Sequence, residues 1–381
     1  MIYSVKAVDQ LFFRSSTPFD SEGGTHLLAS QFPPYPTTYA GTFKMLGAHS
    51  NQFRISYNGI ILSEENNQLT FCFPQPLDTI GPPDKMLAGK ENKLIKLEKM
   101  KLVSLPHSNA PLIANLIPKE SGEKRKTLPY TYLKQTELEK YLSFDEDTVD
   151  GFSLKDYFSE EMKIGIAIDS STDTTEKGML YQIKMVRPQP ELQLAVELTR
   201  AEVENGSVKL GGEGKVAQFE AIDNEITITS KLNDNSKYFK LYFATPAIFE
   251  RGWLPKWIKK DMTGCFSYKG KKVKLELVSA AIGRYEAVGG FNPSQNQPKE
   301  LRYAIPAGSV YYFKIIEGDL EKVKKLFHQK CISDYRESFG FKHEYFSRDR
   351  LVYCDRGFGY ALVGAVNNEQ EMVLKCLKEK N

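Results

Sequence analysis

The sequence predicts an α+β protein built from two halves, each a sheet with a helix or two packed on it. Three observations predict it. Apolar residues alternate at spacing two in both parts of the chain, as in LQLAVELTR, with Leu192, Leu194, Val196 and Leu198, and in Lys272–Ser279, with Val273, Leu275 and Leu277. Helical spacing is confined to short stretches, the clearest being Leu320 to Cys331, where Leu320, Val323, Leu326 and Phe327 share a face. The combination of strands with a helix or two occurs twice, with no heptads and no short-period repeat.

Taken in order, Met1 to Val8 reads as a strand through Ile2, Val5 and Val8, and a Gly- and Ser-rich loop, Ser15 to Ser30, follows. In QFPPYPTTYAGTFKMLGAH the prolines end the preceding element, and Thr37 or Thr38 caps a helix running to about His49. Arg54–Ser63 and Gln68–Phe73 are strands joined by the polar turn EENNQ, which completes a β-α-β-β beginning. From about Pro74 to Lys163 prolines are frequent and periodicity is poor, which predicts an insertion with short helices. Strands resume with MLYQIKMVRP and LQLAVELTR. A second unit begins near Tyr238, dividing the chain into 1–236, with its insertion at about 74–163, and 237–381. Its strands are KLYFATPAIF, Lys272–Ser279 and SVYYFKII; its helix starts at Leu320; RGFG then breaks the chain before a final strand, YALVGAV. Trp253 and Trp257 stand four apart in FERGWLPKWIKK, a spacing that sets both on one helical face, for core burial or for a subunit contact.

Composition narrows the function. The 51 basic and 48 acidic side chains nearly cancel, so the net charge of +3 does not announce a nucleic-acid binder, although a basic face remains possible if the acids gather elsewhere. The 20 Tyr and 23 Phe suit sheets and base-stacking surfaces alike. Cys72, Cys265, Cys331, Cys354 and Cys376 are odd in number and lack zinc-ligand spacing, which fits free thiols in a reducing cytoplasm. The start, MIYSVKAVDQLFF, has no signal-peptide pattern, and no apolar run reaches the roughly 18 residues of a membrane span.

Glycine-rich stretches invite a nucleotide reading, which fails. In VKLGGEGKVAQF, Lys215 is followed by Val216 rather than Ser or Thr, so there is no phosphate loop. RGFGYALVG has Leu362 where a dinucleotide fingerprint needs its third glycine, and it precedes a strand rather than a helix. His26, His49, His107, His328 and His343 show no metal spacing, and no local signature supports Cys–His catalysis. These observations predict no metal and no cofactor, and they leave Cys–His catalysis open though without a local signature.

Several stretches, taken in order, carry a resemblance: LFFRSSTPFD with FPPYPTTYAG; LGGEGKVAQFE with LYFATPAIFERGWLP; AVGGFNPSQNQPKELRYAIPAGSVYYFK; and a C-terminal GFGYALVG. Over Phe12 to Gly364 the chain resembles the third subunit of the Cmr complex, the type III-B CRISPR effector, within the repeat-associated mysterious protein (RAMP) superfamily. PAGSVYYF and LGGEGK are its most specific pieces, and the equivalent type III-A subunit is the competing likeness. The resemblance implies two ferredoxin-like, RRM-related domains with insertions, and no catalysis. It also implies a place at the foot of the complex, holding the 5′ handle of the guide RNA beside the large polymerase-like Cas subunit and the first backbone subunit. The family often has Arg where this chain has Lys44, which keeps the charge but loses the bidentate fork. A guide-processing ribonuclease, as some superfamily relatives are, is the alternative from another class.

With that implication, the candidate RNA contacts are Arg14, Thr38, Lys44, Gly211, Gly212, Lys215, Gly308, Ser309, Arg356, Gly357 and Gly359. Glycine backbones let phosphates approach, successive amides form anion nests, and Lys215 adds a point charge. Arg356 can pair with phosphate or stack on a base, and Ser309 can donate to phosphate or ribose. Arg14 and Lys44 can meet at the Thr37–Thr38 helix start, with its open amides. Each has a plainer reading: a hairpin turn for LGGEGK, a tight turn for RGFG, a crossing chain segment at PAGSV, and a salt bridge to Asp20 or Glu22 for Arg14. Lys124, Arg125 and Lys126 with Tyr130 and Tyr132 form a basic–aromatic cluster suited to single strands or to a partner, and equally to a solvated face.

Overall fold

The computed structural model describes residues 1–14, 26–47, 53–64, 68–82, 94–104, 112–118, 127–143, 147–169, 171–172, 174–292, 297–334 and 353–376. It is α+β and dominated by strands, which form two large antiparallel sheets. The first has ten strands, in the order Gly206–Lys209, Val216–Ile222, Ile2–Ala7, Leu192–Thr199, Arg54–Ser63, Leu69–Pro74, Thr131–Lys134, Thr148–Ser153, Ile95–Lys99 and Thr79–Ile80. The second has six, in the order Thr263–Tyr268, Lys271–Ala281, Val310–Glu317, Tyr238–Phe243, Tyr360–Ala365 and Lys330–Cys331.

Each sheet contains the same four-strand kernel. Numbered by chain position, Ile2–Ala7, Arg54–Ser63, Leu192–Thr199 and Val216–Ile222 lie side by side as fourth, first, third, second. So do Tyr238–Phe243, Lys271–Ala281, Val310–Glu317 and Tyr360–Ala365. One crossover in each kernel is helical. The first half uses Pro36–Met45 between its first and second strands; the second half uses Leu320–Phe327 between its third and fourth. Pro36 opens the former helix where a missing N–H does no harm. The latter begins at Asp319, whose carboxylate accepts from Lys322 N at 2.8 Å, and ends beside Lys324 and Lys325, where cations suit the dipole. It stops at Phe327 rather than at Cys331, because Gln329 takes a positive φ of 54° and turns the chain into the short strand Lys330–Cys331.

Two expectations need correcting. Within 74–163 the described residues do include short helices, the α-helix Gln135–Leu142 and the 3-10 turn Leu154–Tyr157, but strands dominate, and four of them extend the first sheet. Those strands run only two to six residues, too short for a periodicity to show. Nor do Trp253 and Trp257 share a helix. Their segment is a run of turns and single bridges, Phe249 to Gly252 and Arg251 to Leu254, pinned by the Asp334 carboxylate accepting from Glu250 N at 2.6 Å and Lys256 N at 3.1 Å. Trp257 packs in the second core, with ring centroids 5.5 Å from Phe266 and 5.8 Å from Phe313.

Two strands of the second half, Tyr238–Phe243 and Tyr360–Ala365, are buried on both faces, which is why YFKLYF and YALVGA read as continuous apolar runs. One face joins the Trp257 core. The other closes on the first half, where Tyr242, Tyr312 and Tyr360 join Tyr57, Phe73 and the Gln135–Leu142 helix. A polar knot sits in that second contact. Asp78, 1% exposed, accepts from Tyr141 Oη at 2.8 Å and Tyr312 Oη at 2.6 Å. Lys240 Nζ donates to Tyr141 O at 2.8 Å and lies over that ring, and burial holds its pKa well below the usual lysine value. Among the described residues no helix is long and apolar enough to cross a membrane.

Candidate functional site

The structure places the candidate segments at two positions linked by the Pro36–Met45 helix. The first is the seam between halves. There RGFG forms a tight turn: Arg356 N and Phe358 N both donate to Tyr353 O, at 3.0 and 3.2 Å, and Gly357 and Gly359 take φ of 87° and 77°. Both glycines are required. A Cβ on Gly357 would stand 2.9 Å from Ile55 Cγ2 and 3.0 Å from Asn58 Oδ1, and one on Gly359 would stand 2.9 Å from Ser333 N. Pro36, the first residue of the helix, lies 3.4 Å from the same Gly357 position. The turn of the second half is therefore seated against the helix start of the first, near Thr38.

Charge gathers there. Arg356 makes a backbone bridge to Ile55, and its guanidinium lies 4.9 Å from the Phe53 ring centroid. Arg54 Nε meets Asp355 Oδ1 at 2.8 Å, with both side chains mostly buried. The first turn of the Pro36–Met45 helix contains no acidic residue to neutralise its amides. Lys44 lies on this helix, with its side chain outside the described set. Beside the helix start, the Glu286 carboxyl takes a hydrogen bond from Tyr35, and burial pushes its pKa up to about 7. That partly buried acid gave no sequence signal, because Glu286 in RYEAVGG has no motif or spacing to set it apart from other acidic residues.

PAGSV also lies on the seam. Gly308, at φ 88°, donates to Phe243 O at 2.7 Å and accepts from Leu77 N at 2.8 Å. A Cβ there would fall 2.3 Å from Gln75 O, so another segment crosses at this glycine. Ser309 is fully buried, and its hydroxyl donates to Pro306 O at 2.7 Å. PAGSV and RGFG flank the same strand end: Phe243 N donates to Ser309 O at 2.9 Å, while Thr245 Oγ1 donates to Gly357 O at 2.7 Å.

LGGEGK occupies the second position, the turn between Gly206–Lys209 and Val216–Ile222. Gly211, Glu213 and Gly214 all have positive φ. Gly212 N donates to Phe12 O at 2.8 Å, and a Cβ on Gly211 would be 2.3 Å from that oxygen, so the turn sits on the FFR segment. Lys215 Nζ meets Asp9 Oδ2 at 3.2 Å and Glu213 meets Lys163 at 2.7 Å. Arg14 follows this segment, exposed, with its backbone bridged to Ser30. The link to the seam runs along the helix: Thr42 Oγ1 reaches Lys209 O at 3.5 Å, and six residues of helix separate Thr42 from Pro36, about 9 Å.

The basic–aromatic cluster is divided. Tyr130 packs edge-on to Phe158 at 5.7 Å under Lys155, and Tyr132 belongs to the first core. Lys124, Arg125 and Lys126 lie outside the described residues. Among the described residues no His, Cys, Asp and Glu group could hold a metal ion. His328 uses both ring nitrogens on backbone, with Nε2 2.7 Å from Ile228 O and Nδ1 accepting from Val363 N at 3.1 Å.

Paired α+β halves with glycine turns seated across their junction define the class. The chain matches the family model described as CRISPR-associated protein (Cas_Cmr3) over residues 3–364 and belongs to that family, which bears out the resemblance to the third Cmr subunit. Among solved structures it is similar to a chain of the type III-B Cmr-β complex bound to cognate target RNA, at 16% identity, 82% of this chain, 86% of that chain and a TM-score of 0.47. It is similar at the same identity and coverage, with a TM-score of 0.45, to a chain of that complex with cognate target RNA and AMPPnP, state 1. No curated protein sequence matches.

Proposed function

We propose that this chain is a non-catalytic RNA-binding subunit of a type III-B CRISPR effector complex. In this reading it grips the 5′ handle of the guide RNA at the seam and bridges to the large polymerase-like subunit and the first backbone subunit, in the cytoplasm. One observation carries the reading: a two-glycine turn of one half, preceded by Arg356, is seated on the start of a helix of the other whose first turn contains no acidic residue and whose last turn carries Lys44. A helix N-terminus and a few cations held rigidly suit a ribose-phosphate chain of fixed shape. The fourth-first-third-second order in both sheets supports two ferredoxin-like domains, 1–236 and 237–381, each with one crossover helix replaced by irregular chain. The engagement of both His328 nitrogens supports the absence of a general base at that position.

The test is photocrosslinking in the assembled complex, with a photoreactive uridine at each handle position in turn. Adducts are expected on peptides spanning residues 35–45 and 353–360. Adducts confined to other subunits, or specific cleavage of precursor RNA by the pure chain, overturn the proposal.

A further inference from the structure

A second surface, away from the seam, has chemistry of its own. Thr263–Tyr268 is the outer edge of the second sheet; it pairs with Lys271–Ala281, and on its outer side the described chain adds a single bridge, Ile258 to Gly264, with Lys259 N donating to Thr263 O at 2.7 Å. The segment from Lys256 to Lys274 contains seven lysines and one acid, Asp261, in a chain whose totals are 51 basic and 48 acidic. Asp261 is turned inward on its own loop, accepting from Thr263 N at 3.0 Å and Thr263 Oγ1 at 2.8 Å. Lys256 is paired with Glu250 and Lys274 with Glu317. Lys259, Lys260, Lys269, Lys271 and Lys272 are all exposed. Lys259 and Lys260 stand at one end of the edge strand, and Lys269, Lys271 and Lys272 at the hairpin turn on the other, six residues and about 20 Å apart. Cys265 and Ser267, small and exposed, stand between the two groups.

We propose that this edge is a track for the backbone of single-stranded RNA, separate from the seam. Cations at both ends of one strand offer charge along one line, and no large apolar residue of Thr263–Lys272 is exposed to favour a protein partner. Lysines also guard sheet edges against pairing with other chains. One or two suffice for that, and guarding gives no reason for lysines to collect beyond both strand ends.

The experiment measures oligouridylate binding to the full chain by fluorescence anisotropy across a salt series. It compares wild type, Lys269→Glu/Lys271→Glu/Lys272→Glu, the milder triple Gln variant, and a control reversing the exposed lysines Lys96, Lys101 and Lys375. The edge variant is expected to lower the slope of log K against log salt by about 2, at roughly 0.7 per lost phosphate contact, with the Gln variant intermediate or equal and the control near wild type. An unchanged slope in the edge variants overturns the proposal. So does an equal loss in the control, which reports generic charge, or aggregation with RNA affinity intact, which assigns the lysines to edge protection. Arg356→Ala at the seam is expected to leave the edge contribution in place, so failure of one site is read separately from failure of the other.

Discussion

The two halves share a strand order and differ in which crossover they keep as a helix. In the first half the helical crossover is Pro36–Met45, and the return to the fourth strand is extended chain that ends in the LGGEGK turn. In the second half the helix is Leu320–Phe327, and the first crossover is the irregular TPAIFERGWLP. Each half thus leaves one crossover without a helix, and that irregular chain brings backbone into contact with other segments. Thr245, in the second half's irregular crossover, holds Gly357 O, and Gly212, in the first half's, holds Phe12 O. A regular helix satisfies its own amides and carbonyls; an irregular crossover must find partners elsewhere, as Pro246 O does in Gly359 N and Gly212 N does in Phe12 O.

The comparison is broken most severely at Gly308. Its φ is 88° and a Cβ would meet Gln75 O at 2.3 Å, so Gly308→Ala imposes left-handed strain and drives apart the segments that join the halves. The expected cost is about 3 kcal/mol or more, seen as an earlier urea midpoint. Gly214, in the first half's turn, has φ 65° but open space around its Cβ position. Gly214→Ala is expected to cost about 1 kcal/mol, from the backbone alone. Equal losses would show that the seam glycine carries no packing role.

Glu286 sharpens the comparison, because it is a second-half acid facing Tyr35 of the first. Its folded pKa is about 7 against an ordinary 4.5. The folded state holds the proton more tightly, so this group's stabilisation is full below pH 4.5, declines as pH rises, and is gone above about 7. Glu286→Gln stays neutral throughout. It is expected to match wild type in acid and to exceed it above pH 7 by up to roughly 3 kcal/mol, since each tenfold difference in proton affinity is worth about 1.4 kcal/mol. Parallel stability–pH curves for the two proteins would place the carboxyl in solvent.

Much of the kernel was legible because its strands are long and its patterns regular. Arg54–Ser63 lies at the bounds the sequence predicts, and the Leu320 helix begins where its apolar face predicts. Residues 74–163 were not legible, since two- to six-residue strands that extend an existing sheet carry too few side chains for a period. The tryptophan spacing misled because a period of four is only one match, and the tertiary hold of Asp334 on Glu250 N and Lys256 N decided the conformation. Glycines marked the tight turns and crossings well, since positive φ and close approach both demand them. Whether a given glycine serves a neighbouring chain segment or a ligand depends on contacts far apart in sequence: Gly308 with Gln75, Gly211 with Phe12.

The smallest expected change in stability is at Lys215. It is 20% exposed at the side chain and meets the more open Asp9, whose pKa it lowers by hydrogen bonding. An exposed pair of this kind is screened by water and salt and contributes little to folding. Lys215→Ala is therefore expected to leave the melting temperature unchanged. If LGGEGK belongs to the same RNA grip as the seam, the variant should still weaken handle binding and lower its salt slope by about 0.7, one phosphate's worth. Arg187 also pairs with Asp9, at 2.7 Å, so the carboxylate keeps a cation when Lys215 is removed and the turn keeps its anchor. A variant with wild-type affinity and slope would reduce LGGEGK to a hairpin turn packed on Phe12 and leave the seam as the grip on its own.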